Sequence, residues 1–261
     1  MIRAVPESPE RDPWYASWFG EAYLALYPHR DDYEALRQAE WAFSLLGPYA
    51  RRGTVGFLDL ACGTGRHAVE LRGEGGVVGL DLSLPLLVEA RARGILPRPG
   101  YLRGDMRRLP FRPGTFGAVV NFFTSFGYFD DPAEDETVLR EVRRTLTPGG
   151  VFLSDLFNAE RVLSTLVSQE EKTVAGERVS IRRSYDPASR RLTKEITMGS
   201  RPPLRAFREK VRVYLEPELK ALHERNGFDV LETFGDFDGS AFSPRRSPRL
   251  ILLARARTGG A

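Results

Sequence analysis

The sequence predicts an α/β fold in which helices cover both faces of a mainly parallel β-sheet. Short apolar runs alternate with segments of helical periodicity between residues 54 and 157. Such alternation is typical of βαβ units, whose crossover helices lie on the two faces of a parallel sheet. After this region, apolar and charged residues alternate over 173–186 and 190–200, which predicts a small antiparallel insertion.

The elements of the parallel region follow from local signals. Ser83 can cap a helix that runs to Arg93, and Asp131 with Pro132 can begin another over 130–146. A shorter helix is predicted to begin at the glycine-rich turn, over 65–71. Apolar runs predict five strands, at 54–60, 77–80, 101–103, 116–122 and 151–156.

The remaining segments predict how the chain is divided. A hairpin turn is expected at 186–189, and a third inserted strand follows at 207–215. A helix at 216–226 and strands at 230–234 and 250–254 then complete the α/β core, so one discontinuous domain is favoured over two independent ones. The predicted division is a helical N-terminal lid at 1–50, core segments at 51–171 and 216–261, and an inserted cover at 172–215.

Composition excludes several classes of protein. The 261 residues are 42% hydrophobic and 28% charged, and no apolar run has the roughly 18 residues of a membrane helix. The single cysteine excludes an internal disulfide, and the three histidines lack paired ligand spacing, so no metal is predicted. No apolar segment follows Met1, which favours a cytoplasmic protein. Scarce Asn, Gln and Cys fit a heat-adapted source, whereas a GC-rich genome alone could produce the excess of arginine over lysine.

The most informative turn lies at 58–67, with the sequence LDLACGTGRH. Gly63 and Gly65 would let a ligand approach the backbone. A nicotinamide cofactor would require a third glycine, which is missing, and Asp59 would face its pyrophosphate. An acid at this strand end suits a ligand that carries an ammonium group.

Two further acids follow the next strands. Asp81 ends the second strand, where a carboxylate can accept hydrogen bonds from both ribose hydroxyls. Asp105 follows the third, where it can accept from an adenine amine while Met106 lies on the ring face. Amino acid, ribose and adenine side by side describe S-adenosylmethionine laid across the sheet.

The chain therefore resembles class I S-adenosylmethionine-dependent methyltransferases. The resemblance is carried by LDLACGTGRHA (58–68), VVGLDLS (77–83), YLRGDMRRLPF (101–111), FGAVVNFFTSFGYF (116–129) and LTPGGVFLSDLFN (146–158). It implies a three-layer, Rossmann-like sheet of seven strands whose last strand, at 249–257, is antiparallel. It also implies the product S-adenosylhomocysteine and cofactor contacts from Asp59, Ala61, Cys62, Gly63, Gly65, Asp81, Leu82, Gly104, Asp105, Met106, Asn121 and Phe122.

An aromatic N-terminal segment has two interpretations. It is either one packed helix face or a lid over the cofactor and the acceptor, and Arg30 would then meet the cofactor carboxylate. Tyr128, Tyr27 and Asn158 are the candidates for contact with the acceptor. The aromatic residues are Trp14, Tyr15, Trp18, Phe19, Tyr23 and Tyr27.

Three functions remain open at this point. The inserted cover favours methyl transfer to the N or O atom of a small molecule. Residues 172–261 hold 19 basic and 11 acidic residues, a net charge of +8, which instead suggests an RNA or protein substrate held by arginines such as Arg182, Arg183, Arg190 and Arg191. A binding protein that keeps the fold without catalysis is the third alternative. The acceptor and the oligomeric state are left open.

Overall fold

The seven-stranded sheet has the predicted topology. The computed structural model describes residues 13–27, 32–50, 55–71, 75–94, 100–200 and 203–258. Within them the sheet is formed by β1 (Val55–Leu60), β2 (Val77–Asp81), β3 (Tyr101–Arg103), β4 (Phe116–Asn121), β5 (Leu146–Phe157), β10 (Phe228–Phe234) and β11 (Arg249–Ala256). These strands lie in the order β10-β11-β5-β4-β1-β2-β3, and β11 is antiparallel to both of its neighbours.

Both faces of this sheet are buried, which explains why its strands are apolar without alternation. On β1, Leu58 packs into one core cluster while Phe57 packs into the other. Val119 and Val120 of β4 divide between the clusters in the same way. Helices cover the two faces, as the alternation of elements predicted.

The helix boundaries follow the predicted caps. Ser83 Oγ accepts a hydrogen bond from the Leu86 amide, and Asp131 Oδ1 accepts one from the Ala133 amide. The helices are α1 (Trp14–Trp18), α2 (Glu21–Leu26), α3 (Asp32–Leu46), α4 (Leu84–Arg93), α5 (Pro132–Thr145), α6 (Ala159–Ser164) and α7 (Glu216–Arg225). None of the helices in the described ranges combines the length and the hydropathy needed to cross a membrane.

The inserted cover is a four-stranded antiparallel sheet, and one of its turns contradicts the sequence prediction. Its strands run in sequence order. The segment 173–186, predicted as one strand, is divided by a two-residue turn in which Ala175 and Gly176 both have positive φ. Alanine rarely adopts that conformation, so the turn carries no strong local signal. The strands are β6 (Gln169–Val174), β7 (Glu177–Asp186), β8 (Arg191–Met198) and β9 (Arg205–Arg212).

The helix predicted at 65–71 is also wrong. Residues 66–70 form successive turns rather than a helix. Hydrogen bonds from the Val69 amide to Gly65 O and from the Leu71 amide to His67 O close single helical turns, but no regular helix forms there. This turn therefore does not form an anion site at a helix N-terminus.

Candidate active site

A cavity of about 490 Å³ lies at the carboxyl ends of the central parallel strands. We call its lining from the strand ends and from the turns that follow them (residues 59, 61–64, 66–67, 80–83, 104–106 and 122–125) the floor. We call its lining from the segment 14–27 and from Tyr128, together with that from β7, β8 and β9, the roof. Ligand sites in open parallel sheets lie at this edge.

Asp59 provides an orphaned carboxylate oxygen in the floor. The residue is 1% exposed, and its Oδ2 atom has no hydrogen-bond partner among the described residues. Burial, reinforced by the nearby charge of Asp81, raises the pKa of Asp59 to about 7, although Arg66 acts in the opposite direction. A bound ammonium group would satisfy this oxygen and favour the ionised carboxylate.

Asp81 both shapes the floor and lines it. Its Oδ2 accepts a hydrogen bond from the Gly63 amide at 2.8 Å, and its Oδ1 accepts one from the Ser83 amide at 2.7 Å. Burial raises the pKa of Asp81, while these amide donors oppose the shift. Glycine suits position 63 because the backbone there has a φ of +55°, in the left-handed region that favours glycine. Asp81 thus holds the turn and faces the cavity.

Gly65 has a different role from the one predicted. A Cβ at this position would lie 2.8 Å from Cζ of Tyr101, a residue that is 5% exposed. Gly65 therefore makes room for the tyrosine ring and does not line the cavity. Its neighbours Ala61, Cys62 and Gly63 do line it.

Asp105 and Met106 line the far end of the floor, beside Leu82 and Gly104. Asp105 accepts hydrogen bonds from the Arg107 amide at 2.8 Å and from its guanidinium Nε at 3.0 Å and 3.1 Å. Burial opposes ionisation of this carboxyl group, but the bonds from Arg107 outweigh it and lower the pKa of Asp105. The carboxylate is thus ionised and oriented, with Arg107 hydrogen-bonded to both of its oxygens.

A strained turn forms the floor after β4. Phe123 and Thr124 have φ values of 59° and 56°, which non-glycine residues rarely adopt. The fully buried Asp155 holds the turn by accepting from the Phe123 amide at 2.8 Å and from Arg249 Nε at 2.6 Å. Phe122 lines the cavity, whereas Asn121 lies beneath it and donates its side-chain amide to Leu60 O at 2.7 Å.

The roof is aromatic. Tyr128 lies 4.9 Å from Trp14, 5.7 Å from Phe19 and 6.4 Å from Tyr15 between ring centroids, and Tyr23 lies 5.0 Å from Phe19. All five side chains line the cavity. The two interpretations of this segment are therefore compatible, because one packed aromatic cluster also closes the cavity.

The structure separates the three acceptor-side candidates. Tyr27 and Tyr128 line the cavity, and Tyr27 Oη donates to Glu209 Oε1 at 3.4 Å. Asn158 does not line it. Its side-chain amide is 1% exposed and donates to Pro244 O at 2.7 Å and Ser247 O at 2.8 Å, which anchors a loop. Arg30 lies outside the described residues.

Three functional candidates were missed from the sequence. Arg66 follows Gly65 and lies in the floor beside Asp59, 6% exposed, with its guanidinium 4.2 Å from the Phe123 ring centroid. Lys194 and Glu209 line the roof from neighbouring strands. Arg66 had a local signal, its place in the glycine turn. The other two look like ordinary alternating charges of an exposed sheet.

Comparison with known proteins identifies the fold and a matching domain within the chain. Residues 57–150 match the family model described as a methyltransferase domain. An S-adenosylmethionine-dependent methyltransferase from Clostridium acetobutylicum has the same fold, with a TM-score of 0.73 at 18% identity over 91% of this chain and 97% of that one.

Two curated relatives are N-methyltransferases. The dTDP-3-amino-3,4,6-trideoxy-alpha-D-glucopyranose N,N-dimethyltransferase of Streptomyces venezuelae is 37% identical over 133 residues, 48% of this chain and 54% of the relative. The glycine/sarcosine N-methyltransferase of Halorhodospira halochloris is 26% identical over 235 residues, 85% of this chain and 83% of the relative. The chain spans about half the length of several curated relatives that it matches. The matched segment identifies a methyltransferase domain over residues 57–150, and the chain has the fold of an S-adenosylmethionine-dependent methyltransferase.

Proposed function

We propose that the protein transfers a methyl group from S-adenosylmethionine to an amine nitrogen of a small molecule, with S-adenosylhomocysteine as the other product. One observation carries this proposal. The same cavity joins the carboxylate floor to an aromatic roof closed by the lid and the cover sheet. Such a chamber suits a small acceptor held beside a cofactor and shielded from water.

The floor fits the parts of the cofactor. Asp59 would accept from its ammonium group, and Arg66 would hold the neighbouring carboxylate. Asp81 would accept from the ribose hydroxyls, and Asp105 with Met106 would hold the adenine. When bound, the cofactor supplies an electrophilic methyl group on a positively charged sulfur.

The aromatic roof supports nitrogen as the acceptor atom. A methylated amine is a cation near neutral pH, and aromatic faces attract cations. Trp14, Tyr15 and Tyr128 line the cavity. The two curated relatives are named for methyl transfer to nitrogen, which agrees with this proposal. Tyr27 and Tyr128 remain the candidates for orienting the acceptor nitrogen, since both line the chamber.

The arginines that suggested an RNA or protein substrate do not form one exposed patch. Arg191 is 4% exposed, and its guanidinium donates to Gly127 O at 3.1 Å and Asp130 O at 3.0 Å. Arg183 lines the cavity, and Arg190 forms an ion pair with Glu218. A continuous basic surface would be needed to track a polyanion, so the small-molecule acceptor is favoured.

Two measurements test the proposal. Calorimetry of the full chain with S-adenosylhomocysteine is expected to give one site per chain, and absence of binding would refute the cofactor. Radiolabelled methyl transfer is then followed with matched amines and alcohols, such as amino sugars against their hydroxyl counterparts. Transfer to the amines alone is expected, and transfer to the alcohols alone would move the proposal to oxygen. The cytoplasmic location, the heat-adapted source and the domain boundaries remain predictions of the sequence.

A further inference from the structure

A row of three charged side chains crosses the inner face of the cover sheet. Arg183 of β7 lies opposite Lys194 of β8, and Lys194 lies opposite Glu209 of β9. All three line the cavity, with side-chain exposures of 23%, 18% and 21%. The row therefore faces the chamber and not the solvent outside it.

The neighbouring rows of the same face are apolar. On one side, Ile181, Ile196 and Phe207 pair across the strands and pack against the lid. On the other side, Leu192 lies opposite Val211. An apolar row would pack equally well between these two, and removing charges from water costs free energy. Sheet packing alone does not account for the charges.

The charges of this region do not cancel. Lys172, Arg183 and Lys194 are cations, while the facing anions are Glu170 and Glu209. Glu170 contacts both Arg183, at 2.6 Å, and Lys172, at 4.0 Å, so one carboxylate serves two cations. The balance is one positive charge beside the cavity.

Glu209 is also shared. Its Oε1 accepts from Trp18 Nε1 at 2.9 Å and from Tyr27 Oη at 3.4 Å, and its Oε2 lies 3.4 Å from Lys194 Nζ. Burial lowers the pKa of Lys194, and the charges of Arg183 and Lys172 lower it further, although Glu209 opposes them. Like charges facing each other across a ladder destabilise a sheet. An anion placed between Arg183 and Lys194 would relieve this repulsion.

We propose that Arg183 and Lys194 form a subsite for an anionic group, a phosphate or a carboxylate, of the molecule that is methylated. This inference rests on the proposed function and narrows its substrate class. The acceptor is then a small molecule with an amine at one end, for the methyl group, and an anion at the other, for the roof. Guanidinium groups bind both kinds of anion through paired hydrogen bonds.

The test uses the full chain saturated with S-adenosylhomocysteine and four probes in calorimetry. Thymidine diphosphate and inorganic pyrophosphate represent the phosphate source, and glycine and acetate represent the carboxylate source. At least one pair is expected to bind. Arg183→Gln and Lys194→Gln are each expected to weaken that binding about tenfold, since each removes a charged hydrogen bond.

Arg182→Gln is the matched control. Arg182 neighbours Arg183 on β7 but is exposed on the opposite face of the sheet. Its substitution is expected to change probe binding less than twofold. The pair of probes that binds identifies the anion as phosphate or carboxylate.

Three results would overturn the subsite. The first is that none of the four probes binds. The second is that a probe binds the wild type and both cavity variants with equal affinity. The third is that Arg182→Gln weakens probe binding as much as the cavity variants do. Binding of S-adenosylhomocysteine, measured first in every variant, separates failure of the subsite from failure of the proposed function. If a cavity variant does not fold, a wild-type crystal soaked with the probe that binds in calorimetry decides. Density for that probe between Arg183 and Lys194 supports the subsite, and its absence there refutes it.

Discussion

The floor and the roof of the cavity are built in opposite ways. In the floor, Asp105 is held by the Arg107 amide two residues away, and Asp81 by the Ser83 amide at the same separation. In the roof, Glu209 binds Trp18 across 191 residues and Tyr27 across 182. The proposed cofactor half thus depends mainly on local geometry at strand ends, whereas the proposed acceptor half depends on long-range contacts between a lid and an insertion.

The two halves also differ in charge. The floor carries Asp59 and Asp81, two buried carboxyl groups whose pKa values are raised. The roof carries an excess of cations around Arg183 and Lys194. A ligand that is positive at one end and negative at the other would complement both. This separation of charge favours an orientation in which positively charged groups of a ligand lie at the floor and negatively charged groups lie at the roof.

The largest expected effect breaks the floor at a long-range support, the ion pair between Arg249 and Asp155. Arg249→Met leaves the buried Asp155 carboxylate without its cation, which costs about 3–5 kcal/mol of unfolding free energy. Chemical denaturation followed by circular dichroism measures this loss. Arg255→Met, at an exposed site on the same strand, is the control and is expected to change stability by less than about 0.5 kcal/mol. Equal stability of the two variants would mean that Asp155 does not depend on Arg249.

The next effect tests whether the floor is the cofactor half. Asp81→Ala removes the acceptor of the Gly63 and Ser83 amides and the proposed acceptor of the ribose hydroxyls. Affinity for S-adenosylhomocysteine is expected to fall by about 100-fold, since two hydrogen bonds to a charged group are lost. Calorimetry measures the affinity, with the exposed Glu89→Ala on α4 as control. An unchanged affinity would place the ribose elsewhere.

A smaller effect sharpens the electrostatic side of the comparison. Burial raises the pKa of Asp59 in the free protein to about 7, and we propose that the cofactor ammonium group binds the ionised form. Below pH 7 binding must first release a proton, so affinity for S-adenosylhomocysteine is expected to rise about tenfold from pH 6 to pH 8. Asp59→Asn is expected to bind more weakly and to lose this slope. A slope retained in Asp59→Asn would assign it to another group.

The same shift has a consequence for stability. A carboxyl group whose pKa is raised by folding stabilises the fold below its unfolded pKa near 4, and that contribution is lost as the pH rises through 7. Melting of the free protein should therefore show a contribution from Asp59 that declines over this window. The contribution should be absent in Asp59→Asn.

The smallest effect belongs to the roof. Trp18→Phe keeps an aromatic ring but removes the hydrogen bond to Glu209, which contributes about 1 kcal/mol at this partly buried site. Amide exchange of residues 13–27 is expected to accelerate about fivefold, while affinity for S-adenosylhomocysteine changes less than twofold. Exchange measured by mass spectrometry tests this. Faster exchange throughout the large sheet would show that the tryptophan supports the whole fold and not the lid alone.

Much of the floor could be predicted from the sequence because its information is local. Asp59 and Asp81 lie at the carboxyl ends of β1 and β2, Asp105 follows β3, and the carboxyl ends of parallel strands meet at one edge of the sheet. Gly65 shows the limit of that reasoning, since its missing Cβ accommodates Tyr101 on another strand. Asn158 shows it too, because a polar residue after a strand can serve a distant loop as readily as a ligand.

The sequence by itself indicated the layered α/β architecture, the seven-stranded sheet with its antiparallel last strand and the three acids at the sheet edge. Periodicity, caps and strand-end positions depend on residues that are close in sequence, so they can be identified without knowledge of the fold. Only the tertiary structure decided that Lys194 and Glu209 face the cavity, that Arg66 lies beside Asp59 and that Arg191 is buried. Which face of a strand is covered depends on what packs against it, and here the covering element lies far away along the chain.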